Sequence, residues 1–412
     1  MSSRRAIGRT SSLCDLEKMS PAAALPTLPI NPNVLVWARE RMGLSVEEAA
    51  EKVPVKVERL MAWEANDASP TINQARKLAK IYARPFLEFF AADVPTVADV
   101  ALVPDYRLHR DAPTPKDEAA RSEIQGWAET QRLNVLDLLE MLGDEPQTLP
   151  LALASNIDVP TEQAAERARE AIGFTVQEQI DIPASDKRLI PDRLRARMSD
   201  TGILVLKRAE IKKLGIRGMC LFSEPLPIIV YGNEAPGAQA FTLAHELGHV
   251  AIQSSGVSGP AATGSKVQRV EDWCNRFASD FLIPKSILAD IWPRPERKMP
   301  EISDEQLNEV ARRFGVSPHA MLVRLVSLNY VEADFYWRIK RPQFLRDEAD
   351  YTAPPMRSAY YGSRYKNSLG NFYTGLVLEA WGTGAISGHN AAEFLGIKNI
   401  RHLSDIRERF PR

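Results

Sequence analysis

Two histidines and a glutamate stand at residues 245–249 in the pattern His-Glu-x-x-His, within the stretch FTLAHELGHV. On a helix, His245 and His249 lie one turn apart on the same face, so both imidazoles can bind one metal ion. Glu246 can then reach a water molecule on that ion. The chain has only six histidines, and a chance occurrence of the pattern at this length has odds on the order of 1%. The pattern therefore predicts a Zn²⁺ site.

The residues around this motif are mostly apolar. They are Phe241, Leu243, Ala244, Leu247, Val250, Ala251 and Ile252. A surface helix with two incidental histidines is the alternative interpretation. A buried helix with three polar side chains needs a partner that satisfies them, and a metal ion does so.

Two histidines do not complete a catalytic zinc site, which usually has three protein ligands and one position for water. Ile252 and Ser255 occupy the places of the glycine and third histidine in the longer pattern HExxHxxGxxH. The third ligand is therefore expected on the later helix VQRVEDWCNRFASDFLIP. Glu271 lies on its apolar, inward face, whereas its neighbour Asp272 would then face away. Either acid could instead only complement the helix dipole.

Zinc at such a site would polarise a peptide carbonyl, and Glu246 would accept a proton from water and deliver it to the leaving amine. A strand before the motif helix could pair with an extended substrate, and residues 217–222 and 227–230 are both candidates. The sequence does not identify the residue that stabilises the oxyanion. Tyr231 and several C-terminal tyrosines are candidates for that role.

Residues 31–90 show short helical stretches separated by breaks. Ser45 can cap a helix that ends at Lys52, with Glu48 at the capping-box spacing. A turn at Val53-Pro54 leads into a second helix at 56–64, which gives a helix-turn-helix within a five-helix domain. The expected core is Leu35, Ala38, Met42, Leu44, Ala49, Ala50, Leu60, Trp63, Ile72, Leu78 and Ala79.

The second helix of this pair would face a DNA major groove. Its exposed residues are expected to be Lys56, Glu58, Arg59 and Ala62. Four basic residues could contact phosphates, namely Arg39, Arg41, Arg76 and Lys77. Residues 31–90 have nine basic and eight acidic side chains, a net charge of +1, and Glu58 would repel phosphates. The alternative is a helical module that binds another protein.

Composition is that of an ordinary soluble globular protein, with 44% hydrophobic and 25% charged residues among 412. The net charge of −1 provides no overall attraction to nucleic acid. Three widely spaced cysteines (Cys14, Cys220 and Cys274) give no disulfide framework, which favours a reducing, cytoplasmic location. The sequence contains no run of eighteen apolar residues, so it predicts no membrane span. The N-terminus lacks the apolar segment of a secretory signal.

Several longer motifs occur in both halves of the chain: MGLSVEEAAEKV, LMAWEANDASPT and QARKLAKIYARPFLEFF, then IRGMCLFSEPLPIIVYGNEAPGAQAFTLAHELGHV, EDWCNRFASDFLIP and ARRFGVSPHAMLVRL. They resemble bacterial regulators that join an Xre-type helix-turn-helix to an ImmA/IrrE-type zinc metallopeptidase. EDWCNRFASDFLIP is similar to the family's E-x-x-A-N-x-F-A-x-x-L-L-x-P helix, with Cys274 and Phe281 replacing an alanine and a leucine. The resemblance covers most of residues 31–330 and, more loosely, the tail to about residue 406.

This resemblance implies that His245, His249 and Glu271 bind Zn²⁺ and that Glu246 is the catalytic base. It also implies a repressor-like protein as substrate, whose cleavage releases stress-response or mobile-element genes. The family's glycine two residues after Trp-Glu is Asn66 here, and asparagine also tolerates a left-handed turn.

The predicted fold is α+β and predominantly α-helical. Three strands are expected in TGILVLK, GMCLF and PIIVYGN, which are short β-branched runs bounded by turn residues. The predicted domains are a disordered leader (1–30), an Xre-type helix-turn-helix domain (31–92), a linker and helical connector (93–185), a zincin-like metallopeptidase domain with a three-stranded sheet (186–335) and a helical C-terminal region (336–412).

Two functions are compatible with this organisation. The first is a cytoplasmic zinc endopeptidase and transcriptional regulator, whose N-terminal domain binds DNA or a repressor partner. The second is a transcription factor whose zincin-like domain only senses a ligand or partner, as an antitoxin-like module would. Helix-turn-helix proteins commonly form homodimers, but the sequence indicates no interface. No membrane partner is expected.

Overall fold

The computed structural model describes residues 30–42, 44–82, 84, 86–94, 115–258, 266–352 and 362–410. The predicted leader, except Ile30, and most of the predicted linker, at 95–114, lie outside the described residues. The chain divides into an N-terminal unit (Met1–Glu40 and Leu44–Pro95) and a larger unit (Arg41–Gly43 and Thr96–Arg412). None of the described helices combines the length and the apolar composition that a membrane span requires.

The N-terminal unit contains the predicted five helices, of which the fifth is a 3₁₀ helix. They are α1 (Pro32–Arg41), α2 (Val46–Lys52), α3 (Val57–Glu64), α4 (Ile72–Ile81) and the 3₁₀ helix Phe86–Phe90. Ser45 and Glu48 form the predicted capping box at α2, and Thr71 and Gln74 form a second one at α4. These caps satisfy backbone N–H groups that the first helical turn leaves unpaired.

One predicted core residue of this unit is not buried. Ile72 is 44% exposed because it is the first residue of α4, ahead of the turns that pack inward, whereas Leu60, Trp63 and Leu78 are almost fully buried. Asn66 ends the turn after α3 with φ of 64°. It therefore adopts the left-handed conformation expected from its place in the motif.

The second unit is mostly helical. Its helices are α5 (Pro115–Leu142), α6 (Thr161–Ala171), α7 (Val176–Asp181), α8 (Ile190–Ser199), α9 (Pro236–Ala251), α10 (Lys266–Leu282), α11 (Lys285–Ile291), α12 (Asp304–Phe314), α13 (Pro318–Ser327), α14 (Arg341–Asp350), α15 (Ser363–Thr383), α16 (Gly388–Phe394) and α17 (Arg401–Arg409). Short 3₁₀ helices lie at Leu151–Leu153, Ala184–Leu189 and Ala209–Leu214, and a π-helical segment, Phe335–Lys340, precedes α14. Gly370, with φ of 85°, kinks α15.

A small sheet lies within this unit. Its strands are β1 (Leu204–Lys207), β2 (Gly218–Leu221), β3 (Ile228–Tyr231) and β4 (Gly256–Ser258), in the order β1-β3-β2-β4. β1 pairs with β3 in parallel, and the other two pairings are antiparallel. The three predicted strands are confirmed. β4 is an additional strand that the sequence analysis did not predict, and residues 259–265 that follow it lie outside the described residues.

Both faces of the sheet are buried, and alternate strand residues join two different cores. Val205, Cys220 and Ile229 pack with α8, α9 and α10 on one side. Leu206 and Met219 pack on the other side with α5 and the helices from α15 to α17. The helices predicted as connector and C-terminal region therefore complete the covering of the sheet. The boundaries proposed between these parts remain predictions.

Candidate metal centre

Helix α9 carries the His-Glu-x-x-His motif into the interior. Pro236 begins the helix, and the helix packs against β2 and α10. His245, Glu246 and His249 are 3%, 0% and 0% exposed. Their depth follows from the apolar residues around them, Leu243, Ala244 and Leu247, which are fully buried too. The sequence expectation of a buried helix with three polar side chains is therefore confirmed.

Glu271, in the first half of α10, faces the two histidines. Its carboxylate oxygens lie 3.3 Å from His245 Nε2 and 3.1 Å from His249 Nε2, and the two Nε2 atoms are 3.2 Å apart. Glu271 is 4% exposed, while Asp272 is exposed and accepts a hydrogen bond from Gln268. Glu271 therefore faces inward and Asp272 faces outward, as expected from the apolar face of their helix.

The spacing of these three groups fits a metal ion. In a tetrahedral zinc site with bonds of about 2.0–2.2 Å, neighbouring ligand atoms lie about 3.3–3.6 Å apart. The separations of 3.1–3.3 Å between the two imidazole nitrogens and the carboxylate are close to this value. Within the described part of the chain, this is the one group of three or more metal-binding side chains close enough to share an ion.

The pKa values of the ionisable groups at the centre are set by burial and by the contacts between these groups. Burial opposes ionisation of Glu271, but hydrogen bonds to His245 and His249 outweigh it and lower the pKa of Glu271 to about 2. Burial also opposes protonation of His245, and the hydrogen bond and negative charge of Glu271 overcome it, so the pKa of His245 is raised. The carboxylate therefore stabilises positive charge between the imidazoles, as it would stabilise a bound cation.

Asn275 is a polar partner that the sequence analysis did not single out. It lies one turn after Glu271 on α10, and its Oδ1 is 3.1 Å from His245 Nδ1. An acceptor at Nδ1 favours the tautomer in which Nε2 carries a lone pair directed at the centre. The asparagine in the motif EDWCNRF was the available signal, since it follows the acid by four residues.

Two glycines let the sheet approach α9 closely. A Cβ atom at Gly218 on β2 would lie 2.3 Å from Glu246 Oε1, and one at Gly256 on β4 would lie 2.6 Å from His249 Cε1. Both contacts are closer than a side chain allows. Gly218 thus leaves room for the carboxylate of Glu246, and Gly256 leaves room for the imidazole of His249.

Comparison with known protein families agrees with this geometry. Residues 199–326, which include the motif helix and Glu271, match the model of the IrrE N-terminal-like domain of peptidase family M78. Residues 35–89 match the helix-turn-helix family model. The chain joins a helix-turn-helix domain to an IrrE N-terminal-like domain. No curated protein matches the chain.

In the IrrE N-terminal-like domain, neither strand that was predicted to pair with a substrate is free to do so. β2 and β3, which correspond to the candidates at 217–222 and 227–230, are both interior strands with a neighbour on each side. Their backbone groups are already paired within the sheet, so neither can add an extended peptide. The edges of the sheet are β1 and β4.

The tyrosines considered for oxyanion stabilisation are placed differently from one another. Tyr231 is fully buried at the end of β3, with the cations of Arg195 and Lys207 near its ring. Burial raises the pKa of Tyr231. Tyr373 is also fully buried and bonds to Asn134 and the Phe394 carbonyl. Tyr360 and Tyr361 lie outside the described residues, so the oxyanion role stays open.

The two buried cysteines of this domain have the environment of inert thiols. Cys220 on β2 and Cys274 on α10 are both free and fully buried. Burial raises the pKa of both thiols well above the ordinary value, and the negative charge of Glu246 acts in the same direction. Both therefore stay protonated and pack as small apolar groups. Cys14 lies outside the described residues.

In the helix-turn-helix domain, Lys56, Glu58 and Arg59 are exposed as predicted for a DNA-facing surface. Ala62 is only half-buried, and the neighbouring Met61 is 55% exposed. Lys56 is the residue just before α3, and its side chain makes no capping hydrogen bond.

One predicted phosphate contact is wrong. Arg39 is buried, and its guanidinium donates to both carboxylate oxygens of Glu64 at 2.7 and 2.9 Å and to the Leu44 carbonyl at 3.0 Å. Arg39 therefore ties α1 to α3, because its charge is already paired inside the domain. Arg76 and Lys77 are exposed, and the Arg41 side chain lies outside the described part.

Proposed function

We propose that the protein is a cytoplasmic zinc-dependent endopeptidase that cleaves a repressor-like protein in a stress or mobile-element response. The observation that carries this proposal is the buried cluster of His245, His249 and Glu271, whose atoms have the spacing of a tetrahedral site. The match of residues 199–326 to a peptidase family supports it. A cytoplasmic location fits a protein whose DNA and repressor partners occur there.

In this proposal His245, His249 and Glu271 hold the ion and Glu246 is the catalytic base. Zn²⁺ bound there would polarise the scissile carbonyl and make water more acidic. Glu246 accepts the proton of the attacking water and passes it to the leaving nitrogen. The full burial of Glu246 excludes bulk water around its carboxylate, which strengthens its interaction with the developing charge. Asn275 orients His245 throughout.

The substitution Glu246→Gln tests the proposal, because it removes the base but none of the three proposed ligands. We expect the variant to bind zinc as the unchanged protein does and to lose cleavage by about 100-fold or more. Zinc content is measured by atomic emission, and cleavage by mass spectrometry of repressor-like proteins and peptide libraries. Equal cleavage by both proteins, or regulation that persists in cells without cleavage, would instead favour the sensor function.

We further propose that the helix-turn-helix domain binds DNA through α3, with phosphate contacts from Arg76 and Lys77. Its family match and the exposed Arg59 support this. Arg59→Ala should weaken binding and Glu58→Gln should strengthen it, because they remove an attraction and a repulsion toward phosphates. Fluorescence anisotropy with a DNA duplex at two salt concentrations measures both, with Lys285→Ala on α11 as control. Unchanged binding in both variants would favour a protein partner.

A further inference from the structure

A series of polar side chains in contact with one another connects α14 to the helix that carries Glu246. Arg217, just before β2, donates to Glu348 on α14 and lies 3.7 Å from Glu234, just before α9. Glu234 also accepts a hydrogen bond from Thr242 on α9 at 2.8 Å. On its far side, Glu348 lies 2.7 Å from His319 Nδ1. We refer to Arg217, Glu234 and Glu348 as the Arg217 network.

This network reaches the surroundings of Glu246 through two adjacent elements. Arg217 precedes Gly218, and a Cβ atom at Gly218 would meet both the Glu246 carboxylate and the Thr242 methyl group, at 2.3 and 2.7 Å. Glu234, in turn, holds Thr242, which lies one turn before Glu246 on α9. The network therefore fixes the start of β2 against α9 at the level of Glu246.

The side chains of the network are partly shielded from water. Glu234 is 14% exposed, Glu348 26% and Arg217 34%. Burial alone would raise the pKa of Glu348, but the His319 hydrogen bond and the Arg217 charge lower it. Arg217 contacts both carboxylates, so its removal would take away the guanidinium that links Glu234 to Glu348. Its guanidinium therefore connects the segment before α9 to α14.

We propose that Arg217 and Glu234 are positioning residues for Glu246, and that Glu348 on α14 holds Arg217 in place. Contact of α14 with the domain then sets the position of the catalytic base. This inference rests on the proposed function. It adds that a segment beyond the matched residues 199–326 controls the activity of the site.

The experiment compares Arg217→Met, Glu234→Gln and Glu348→Gln with the unchanged protein. Arg217→Lys, which keeps the charge, tests for rescue. Arg313→Met on α12 is the control, because it breaks an exposed ion pair of the same domain. Cleavage is followed with a peptide that the unchanged protein cuts and the Glu246→Gln variant does not.

We expect kcat to fall about 10- to 100-fold in Arg217→Met, as for a catalytic group displaced by a fraction of an ångström to an ångström. KM and zinc content should stay the same, and Arg217→Lys should recover part of kcat. Glu348→Gln should lower kcat less. An unchanged kcat in Arg217→Met, or a loss of kcat that follows a loss of zinc or of folded protein in all three variants, would contradict the inference.

A second measurement needs no substrate. Each protein is loaded with Co²⁺, and its visible absorption spectrum is compared with that of the Glu246→Gln variant. We expect Arg217→Met and Glu234→Gln to shift the spectrum in the direction of Glu246→Gln, and Arg313→Met to leave it unchanged. Spectra identical to the unchanged protein would overturn the positioning role. Failure to cleave any peptide would count against the proposed function alone, because the spectra still report on Glu246.

Discussion

Two glycines set the distance between the sheet and the polar side chains of α9. In Gly256→Ala the new methyl group would overlap the His249 ring, so either β4 or the imidazole must shift. We expect zinc affinity to fall about 10- to 100-fold, as when a group that orients a ligand is changed. Competition with a chromophoric chelator measures this affinity.

Gly218→Ala is the matched comparison, because the same methyl group is added on the neighbouring strand but meets Glu246. This variant should keep its zinc affinity and lose cleavage, since the displaced residue is the base and not a ligand. An equal loss of zinc in both variants would show that the glycines serve only to pack the strands.

Residue-scale prediction from sequence succeeded where the residues share one helix. The spacing of His245 and His249 is visible because three or four residues make one helical turn. Glu271 could be chosen because the apolar face of its own helix gave its direction. Gly218 and Gly256 gave no such signal, because each acquires its role from a side chain on a different element.

At the scale of elements, α10 is held in place from its C-terminal end. The last carbonyl groups of a helix have no partner within it. Arg169 donates to the Phe281 carbonyl at 2.6 Å, and Gln179 on α7 donates to the Leu282 carbonyl at 3.0 Å. Gln179 also donates to the carbonyl of Phe314, the last residue of α12, at 2.6 Å. These bonds fix the helix that presents Glu271.

Gln179→Leu should therefore destabilise the domain. The substitution leaves buried carbonyl groups unpaired, at about 1–3 kcal/mol for each group. Gln177→Leu on the same helix is the control, because Gln177 is exposed and an exposed change usually stays within about 0.5 kcal/mol. Urea unfolding measures both. A loss in Gln179→Leu no larger than in the control would show that the buried amide does not stabilise α10.

Elements were predictable where local signals mark their ends. Ser45 with Glu48 marked the start of α2, and short runs with β-branched residues between turn residues marked β1 and β3. β4 was missed because Gly256–Ser258 has no apolar alternation. It is a strand because its backbone pairs with β2. Arg39 was misassigned because sequence does not show that Glu64, 25 residues later, takes up its charge.

For the whole molecule, the sheet is the layer that unites the second unit. Its two faces pack against different sets of helices, and no residue before Ile124 contributes to either described core. The face beside α5 is covered from the C-terminal side by α15, whose Leu369, Leu376 and Val377 are buried there. The sheet that backs the metal centre is therefore covered, on its opposite face, by helices far from the centre in sequence.

We expect a chain of residues 96–412 to fold and to bind zinc with the affinity of the full chain, because the described residues of both cores all lie at Ile124 or later. A chain of residues 1–362 should not fold its second unit. It loses α15, and with it four buried aliphatic side chains that contribute about 1.5–3 kcal/mol each (Leu369, Leu376, Val377 and Leu378). Their sum is comparable to the total stability of a domain, about 5–15 kcal/mol. Circular dichroism and zinc titration of both chains measure the difference. Zinc binding by 1–362 that equals that of 96–412 would mean that the layer formed by α15 is not needed to support the centre.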